Sequence, residues 1–164
     1  MNKNSFNQLI ANSSDPSTAQ LNKDDLQALI YGACFFASGG GGPISMALQF
    51  LTKINKDVPL IQRKTLSENE KIVILADMGS PDAAAEGRGY TAPVNAYKTI
   101  SAYIKEKESK NIAYFMPIET GAVNSLIPFF IASQLETPIP IIDADPSGRA
   151  VPQLNETLLD VNGQ

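Results

Sequence analysis

Histidine and tryptophan are absent from this sequence, and cysteine occurs once, as Cys34. Without histidine the chain cannot build a Ser-His-Asp triad, a Cys-His dyad, a His-ligated metal site or an imidazole acid–base step of its own. A single cysteine forms no internal disulfide, which fits a reducing, cytoplasmic compartment. Basic residues are outnumbered: 13 Lys and Arg stand against 17 Asp and Glu, for a net charge of −4. That balance argues against nucleic acid and against an anionic membrane as partner, since both call for a basic face. No stretch approaches the roughly 20 consecutive apolar residues of a membrane span. The first twenty residues are rich in Asn and Ser and hold no apolar run of signal-peptide length. The chemistry left to the chain is that of carboxylates, Lys, Arg, Tyr, one thiol and the backbone.

What remains is an ordinary globular composition, with 43% hydrophobic and 18% charged residues in 164. A chain of that length buries roughly 70% of its unfolded surface in one core. Residues 1–21 are polar and aperiodic and read as a flexible N-terminal arm; residues 22–164 read as one domain. Asn22 is an N-cap, with Asp24 and Asp25 in the first turn of a helix over 23–37 whose buried stripe is Leu26, Leu29, Ile30, Ala33 and Ala37. A second helix is expected to start at Pro43 and to bury Ile44, Ala47, Leu48, Leu51 and Ile54. The β-branched run at 71–76 predicts a buried strand, and 93–108 a helix. Then follows a βαβ pattern, with a strand over 111–118, a helix over 126–135 capped near Ser125, and a strand over 138–143. The crossover predicts a parallel pair. The fold class is therefore α/β, a single domain with a parallel or mixed sheet of at least three strands flanked by helices.

Three stretches concentrate groups that can hold a ligand. Gly39, Gly40, Gly41 and Gly42 stand together between two predicted helices, where glycine lets the backbone take positive φ and lets a ligand approach the main chain. No Lys-Ser or Lys-Thr follows, so this is not a P-loop, and nucleotide binding is a weak alternative. Glu119, Asn124 and Ser125 lie between a strand end and a helix start, the edge of a parallel sheet where ligands bind. Asp143 and Asp145 follow the next strand with the same spacing as side chains on one face, and Arg149 is a nearby counter-charge. Two converging carboxylates share a proton or hold a divalent cation. Asp77 to Pro81, after the first predicted strand, is a weaker candidate at the same edge.

The order of these motifs resembles that in the N-terminal domain of the S-methyl-thiohydantoin desulfurase family. The stretches that carry the resemblance read D-L-x-A-L-x-x-G-A running into G-G-G-G (25–42), M-G-x-P (78–81), M-P-I-E-x-G-x-x-N-S-L-x-P (116–128) and D-A-D-x-x-G-R-A-x-P (143–152). Pro146 and Ser147 depart from the family's usual Gly-Met, and Ala122 stands where a second glycine is common. The resemblance implies hydrolytic removal of sulfur from a small imidazolidine ring of the hydantoin type. It implies catalytic duty for Glu119, Asp143 and Asp145, which would also be the ligands of any divalent metal. Substrate contacts would come from Gly39, Gly40, Gly41, Gly42, Asn124, Ser125 and Arg149. Relatives carry a second domain, so a partner domain or a second copy of the chain is the expected partner besides the small molecule. The alternative expectation is a non-catalytic ligand-binding or assembly module that needs such a partner to complete its site.

Overall fold

The computed structural model of the chain describes residues 18–63, 66–67, 69–79 and 90–161. The elements in order are β1 (Thr18–Leu21), α1 (Lys23–Phe36), α2 (Ile44–Lys53), β2 (Val58–Ile61), β3 (Lys71–Leu75), α3 (Thr91–Glu108), β4 (Ile112–Pro117), α4 (Ile127–Ser133), β5 (Ile141–Ile142), a 3-10 turn (Leu154–Glu156) and α5 (Leu158–Val161). They form a single α/β domain around a five-stranded mixed sheet of order β1-β2-β5-β4-β3. β1 runs antiparallel to β2, and the other three pairings are parallel. The C-terminal ends of β2, β5, β4 and β3 therefore share one edge. Among the described residues no helix is long and apolar enough to cross a membrane.

Local chemistry explains most boundaries. Asn22 Oδ1 accepts from the N–H groups of Asp24 (2.8 Å) and Asp25 (3.2 Å), while Asp25 accepts from the Asn22 N–H, a reciprocal cap that starts α1. Pro43 is the N-cap of α2 rather than its first residue. The last strand is shorter than the expected 138–143: Pro138 and Pro140 have no N–H for the ladder, so only Ile141 and Ile142 pair fully, although the Pro140 carbonyl still accepts from Phe115 N–H at 3.0 Å. Two strands were not expected. Thr18–Leu21 belongs to the stretch assigned to the arm, yet it pairs with β2; the rest of that arm, 1–17, lies outside the described residues.

α4 is the hub of the core. All seven of its residues are buried, and it packs against α2, α3, β2 and β4. Phe130 on α4 meets the Phe50 ring of α2 edge-on at 4.9 Å, and Tyr97 of α3 meets Phe115 of β4 at 5.4 Å. Near the start of β3, Tyr114 Oη donates to Glu70 Oε1 at 2.9 Å. That bond, burial and the carboxylate's charge raise the tyrosine pKa above its usual 10.0.

Candidate functional site

The glycine run has a steric cause. Ser38, Gly39, Gly41 and Gly42 all take positive φ, from 52° to 89°. A Cβ at Gly40 would lie 2.5 Å from the Ala150 Cβ. At Gly41 it would lie 2.6 Å from Gly121 Cα, and at Gly42 2.5 Å from Val123 Cγ2. Only Gly39 has open space around it. The loop is thus pressed against Ala150 and against the segment 121–124 after β4, main chain on main chain where Gly41 meets Gly121, and the Gly41 carbonyl accepts from both Val123 N–H (2.9 Å) and Asn124 N–H (3.2 Å). Close packing accounts for three of the four glycines before any ligand is invoked.

Glu119 lies beside this contact. It is 6% exposed, and each carboxylate oxygen accepts one N–H: Oε1 from Asn124 Nδ2 at 2.6 Å and Oε2 from Val151 N–H at 2.9 Å. Asn124, 4% exposed, uses its other amide atom to accept from Asp77 N–H at 2.7 Å. One buried amide therefore ties the end of β3 to the carboxylate after β4. A buried carboxylate needs such donors, since leaving it without them costs several kcal/mol by order of magnitude.

These groups line a cleft of about 500 Å³ at the C-terminal edge of the sheet. Its walls are Gly39–Pro43 with Met46, the strand ends Asp77–Gly79 and Ile118–Glu119, the pair Val123–Asn124, and Val151–Leu154. A concave, partly apolar cleft with a few converging polar groups at this edge is the usual form of a small-molecule site in parallel sheets.

A family model described as the S-Me-THD-like N-terminal domain matches residues 24–164. The chain belongs to the S-Me-THD-like family. Its fold is also that of a protein from Chromobacterium violaceum solved by X-ray crystallography in a structural genomics programme, with a TM-score of 0.77 and 29% sequence identity. That likeness covers 88% of this chain and 39% of the other, so the S-Me-THD-like chain spans well under half the length of that relative. Among proteins with curated descriptions, none matches.

The S-Me-THD-like cleft gathers some of the residues singled out by sequence and leaves others aside. Gly39, Gly40, Gly41, Gly42, Glu119 and Asn124 line it together. Ser125 does not cap α4, whose N-cap is Leu126. Its Oγ instead accepts from Gly121 N–H at 3.1 Å, and its own N–H donates to the Gly121 carbonyl at 2.8 Å. Asp143 is exposed and continues the ladder through its N–H to the Ile61 carbonyl, 2.8 Å. Asp145 closes a turn: Oδ1 accepts from Ser147 and Gly148 N–H groups, and Oδ2 accepts from Thr120 Oγ1 at 3.2 Å. Arg149 is exposed, two residues before Val151. Asp143, Asp145 and Arg149 are not among the lining residues. Among the described residues no three Cys, Asp or Glu side chains converge to hold a metal ion, so Asp143, Asp145 and Glu119 do not form one ligand set. Asp77, treated as a weak candidate, does line the cleft, as do Val151–Leu154, which carried no motif of their own. The M-G-x-P stretch after β3 was the available signal for Asp77.

Proposed function

We propose that this chain supplies the substrate cleft of a desulfurase-type hydrolase, which removes a sulfur substituent from a small imidazolidine ring. The observation that carries the reading is a buried, doubly hydrogen-bonded Glu119 on the wall of a glycine-lined cleft at the C-terminal edge of the sheet. Glu119 is the general base: it takes a proton from water as the water oxygen bonds to the ring carbon that carries sulfur. The C–S bond then breaks, the proton held by Glu119 passes to the departing thiolate, and the second proton of the water passes to the ring nitrogen that was doubly bonded to that carbon, so the products are the ring amide and a free thiol. Donors of the glycine loop stabilise the negative charge that develops on the ring. The single cysteine supports a cytoplasmic setting for this chemistry.

The test is thiol release from an S-methyl-thiohydantoin by the purified chain and by its variants. Glu119→Gln is expected to lower the rate by about a hundredfold or more, and Asp143→Asn to leave it within about twofold. An unchanged rate in Glu119→Gln would remove this residue from the chemistry.

A second reading is favoured by two observations. The crystal relative is matched over 39% of its length, and Tyr31, Phe35 and Phe36 are exposed near the end of α1, just before the glycine loop. In that reading the chain binds the ligand, and another domain or a second copy completes the site. Thiol release only after a C-terminal domain is added, or only from a multimer in size-exclusion light scattering, supports it; turnover by a monomer removes it.

A further inference from the structure

We infer that the outer face of α1 is a contact between two copies of this chain, paired about a two-fold axis with the helices antiparallel. The inference rests on the second reading above, narrows it to one of its two partners and names the surface. Its first support is patterning. The inner face of α1 buries Leu26, Ile30 and Ala33. The opposite face carries Ala28, Tyr31, Gly32 and Phe35 at i, i+3, i+4 and i+7, all exposed, with Phe36 beside them. A surface helix is polar on its outer side, whereas a helix apolar on both sides belongs in an interior. Phe35 is 81% exposed, Phe36 70% and Tyr31 48%, and the two phenylalanine rings brace each other edge-on at 5.9 Å.

The second support is Gly32. Glycine weakens a helix interior relative to alanine. Gly32 does not take positive φ, and a Cβ there would meet nothing within 4 Å. Among the described residues nothing therefore requires a glycine at this position. Its bare backbone is a notch between Tyr31 and Phe35 that an aromatic ring from outside can enter. With the two-fold axis passing between positions 33 and 34, Phe35 of each copy sits over Gly32 of the other, and each Tyr31 meets the other copy's Phe36. The face is its own complement, as a closed two-fold contact demands.

The third support is charge and area. Between Asp25 and Lys53 the sequence has no charged residue, although the chain as a whole carries −4. Two like chains repel over most of their surface and meet without that penalty here. The three aromatic side chains offer about 400 Å² per copy, half of the roughly 800 Å² per partner in a standard interface. Exposed Ala28, Ser38, Gly39 and Pro43 border them and add to it. α1 also runs straight into the glycine loop, whose Gly39 and Gly40 N–H groups donate to the Cys34 and Ala37 carbonyls. A copy seated on α1 therefore steadies one wall of the cleft.

The experiment is sedimentation velocity of the whole chain from low to high micromolar concentration. The unsubstituted chain is expected to sediment as a dimer. Phe35→Lys sets a charge on each side of the axis, and Gly32→Leu fills the notch. Each is expected to raise the dissociation constant at least about tenfold, with the circular-dichroism spectrum of the folded chain unchanged. Gly32→Leu is the sharper arm, because leucine favours the isolated helix and harms only a contact that uses the notch. A monomer at every concentration overturns the inference and leaves the face to chain of the kind that the longer relative carries beyond the matched region. A dimer that neither substitution weakens, or an open-ended assembly, also overturns it. The readout is mass rather than turnover: a dimer that releases no thiol keeps the interface and removes the desulfurase chemistry, and a thiol-releasing monomer does the reverse.

Discussion

The loops that follow β4 and β5 are built from nearly the same parts and end in opposite environments. Each leaves a parallel strand at the same edge of the sheet, and each carries a carboxylate, a glycine and a serine: Glu119, Gly121 and Ser125 in one, Asp145, Gly148 and Ser147 in the other. In the first, every residue from Gly121 to Leu126 is buried and Glu119 is buried with them. In the second, Asp143, Gly148 and Arg149 face solvent. The cause lies downstream. The chain after β4 runs into α4, which is apolar on all sides and fills the core, so the loop is drawn inward with it. Glu119 goes along because two N–H donors offset its loss of water. The chain after β5 meets no such helix and makes a turn on Asp145 Oδ1, touching the first loop at its margin through Thr120 Oγ1 and Asp145 Oδ2. Burial of a polar residue is decided by the apolar stretch to which it is tethered.

Substitutions at matched positions sharpen the contrast, with urea unfolding as the readout. Gly121→Ala should have the largest effect. Its Cβ would meet Gly41 Cα at 2.5 Å and the carbonyls of Gly40 and Gly41 at 3.1 Å, all backbone, so about 3 kcal/mol or more of stability is expected to be lost. Glu119→Ala strands the Asn124 amide and the Val151 N–H, for a loss of about 2 kcal/mol. Gly148→Ala meets open space and suffers only its positive φ of 73°, which predicts about 1 kcal/mol. Asp143→Asn should stay within about 0.5 kcal/mol, as for other exposed sites. If Gly148→Ala were as damaging as Gly121→Ala, the two loops would not differ in the way described.

Much of the architecture was legible because it is local. Asn22 with Asp25, Pro43 before an apolar stripe and the β-branched run at 71–75 state their helix or strand within a few residues. The parallel pairing of β4 with β5 also follows from a short crossover. What escaped is non-local. β1 and β2 are four residues each, and Pro59 sits inside β2; only pairing between distant segments makes strands of them. In the site, the two richest motifs met as expected, since Glu119 and the glycines line one cleft. The i, i+2 spacing of Asp143 and Asp145 placed them as neighbours on an extended chain, but the strand stops at Ile142 and a turn takes Asp145 for its own hydrogen bonds. The role of Gly121 as the partner of Gly41 could not be read at all, because the two are eighty residues apart and touch only in the folded state.

The bare contact between Gly41 and Gly121 has a mechanical result. With no side chain between the two main chains, rotamer changes cannot absorb a displacement of the loop. A ligand that shifts the glycines must slide a whole peptide plane, and the amides of Val123 and Asn124, which hang on that plane, register the movement first. A change in hydrogen exchange at those two amides on saturation, faster where the Gly41 carbonyl is drawn away from them, would therefore report occupancy of the cleft from within the core.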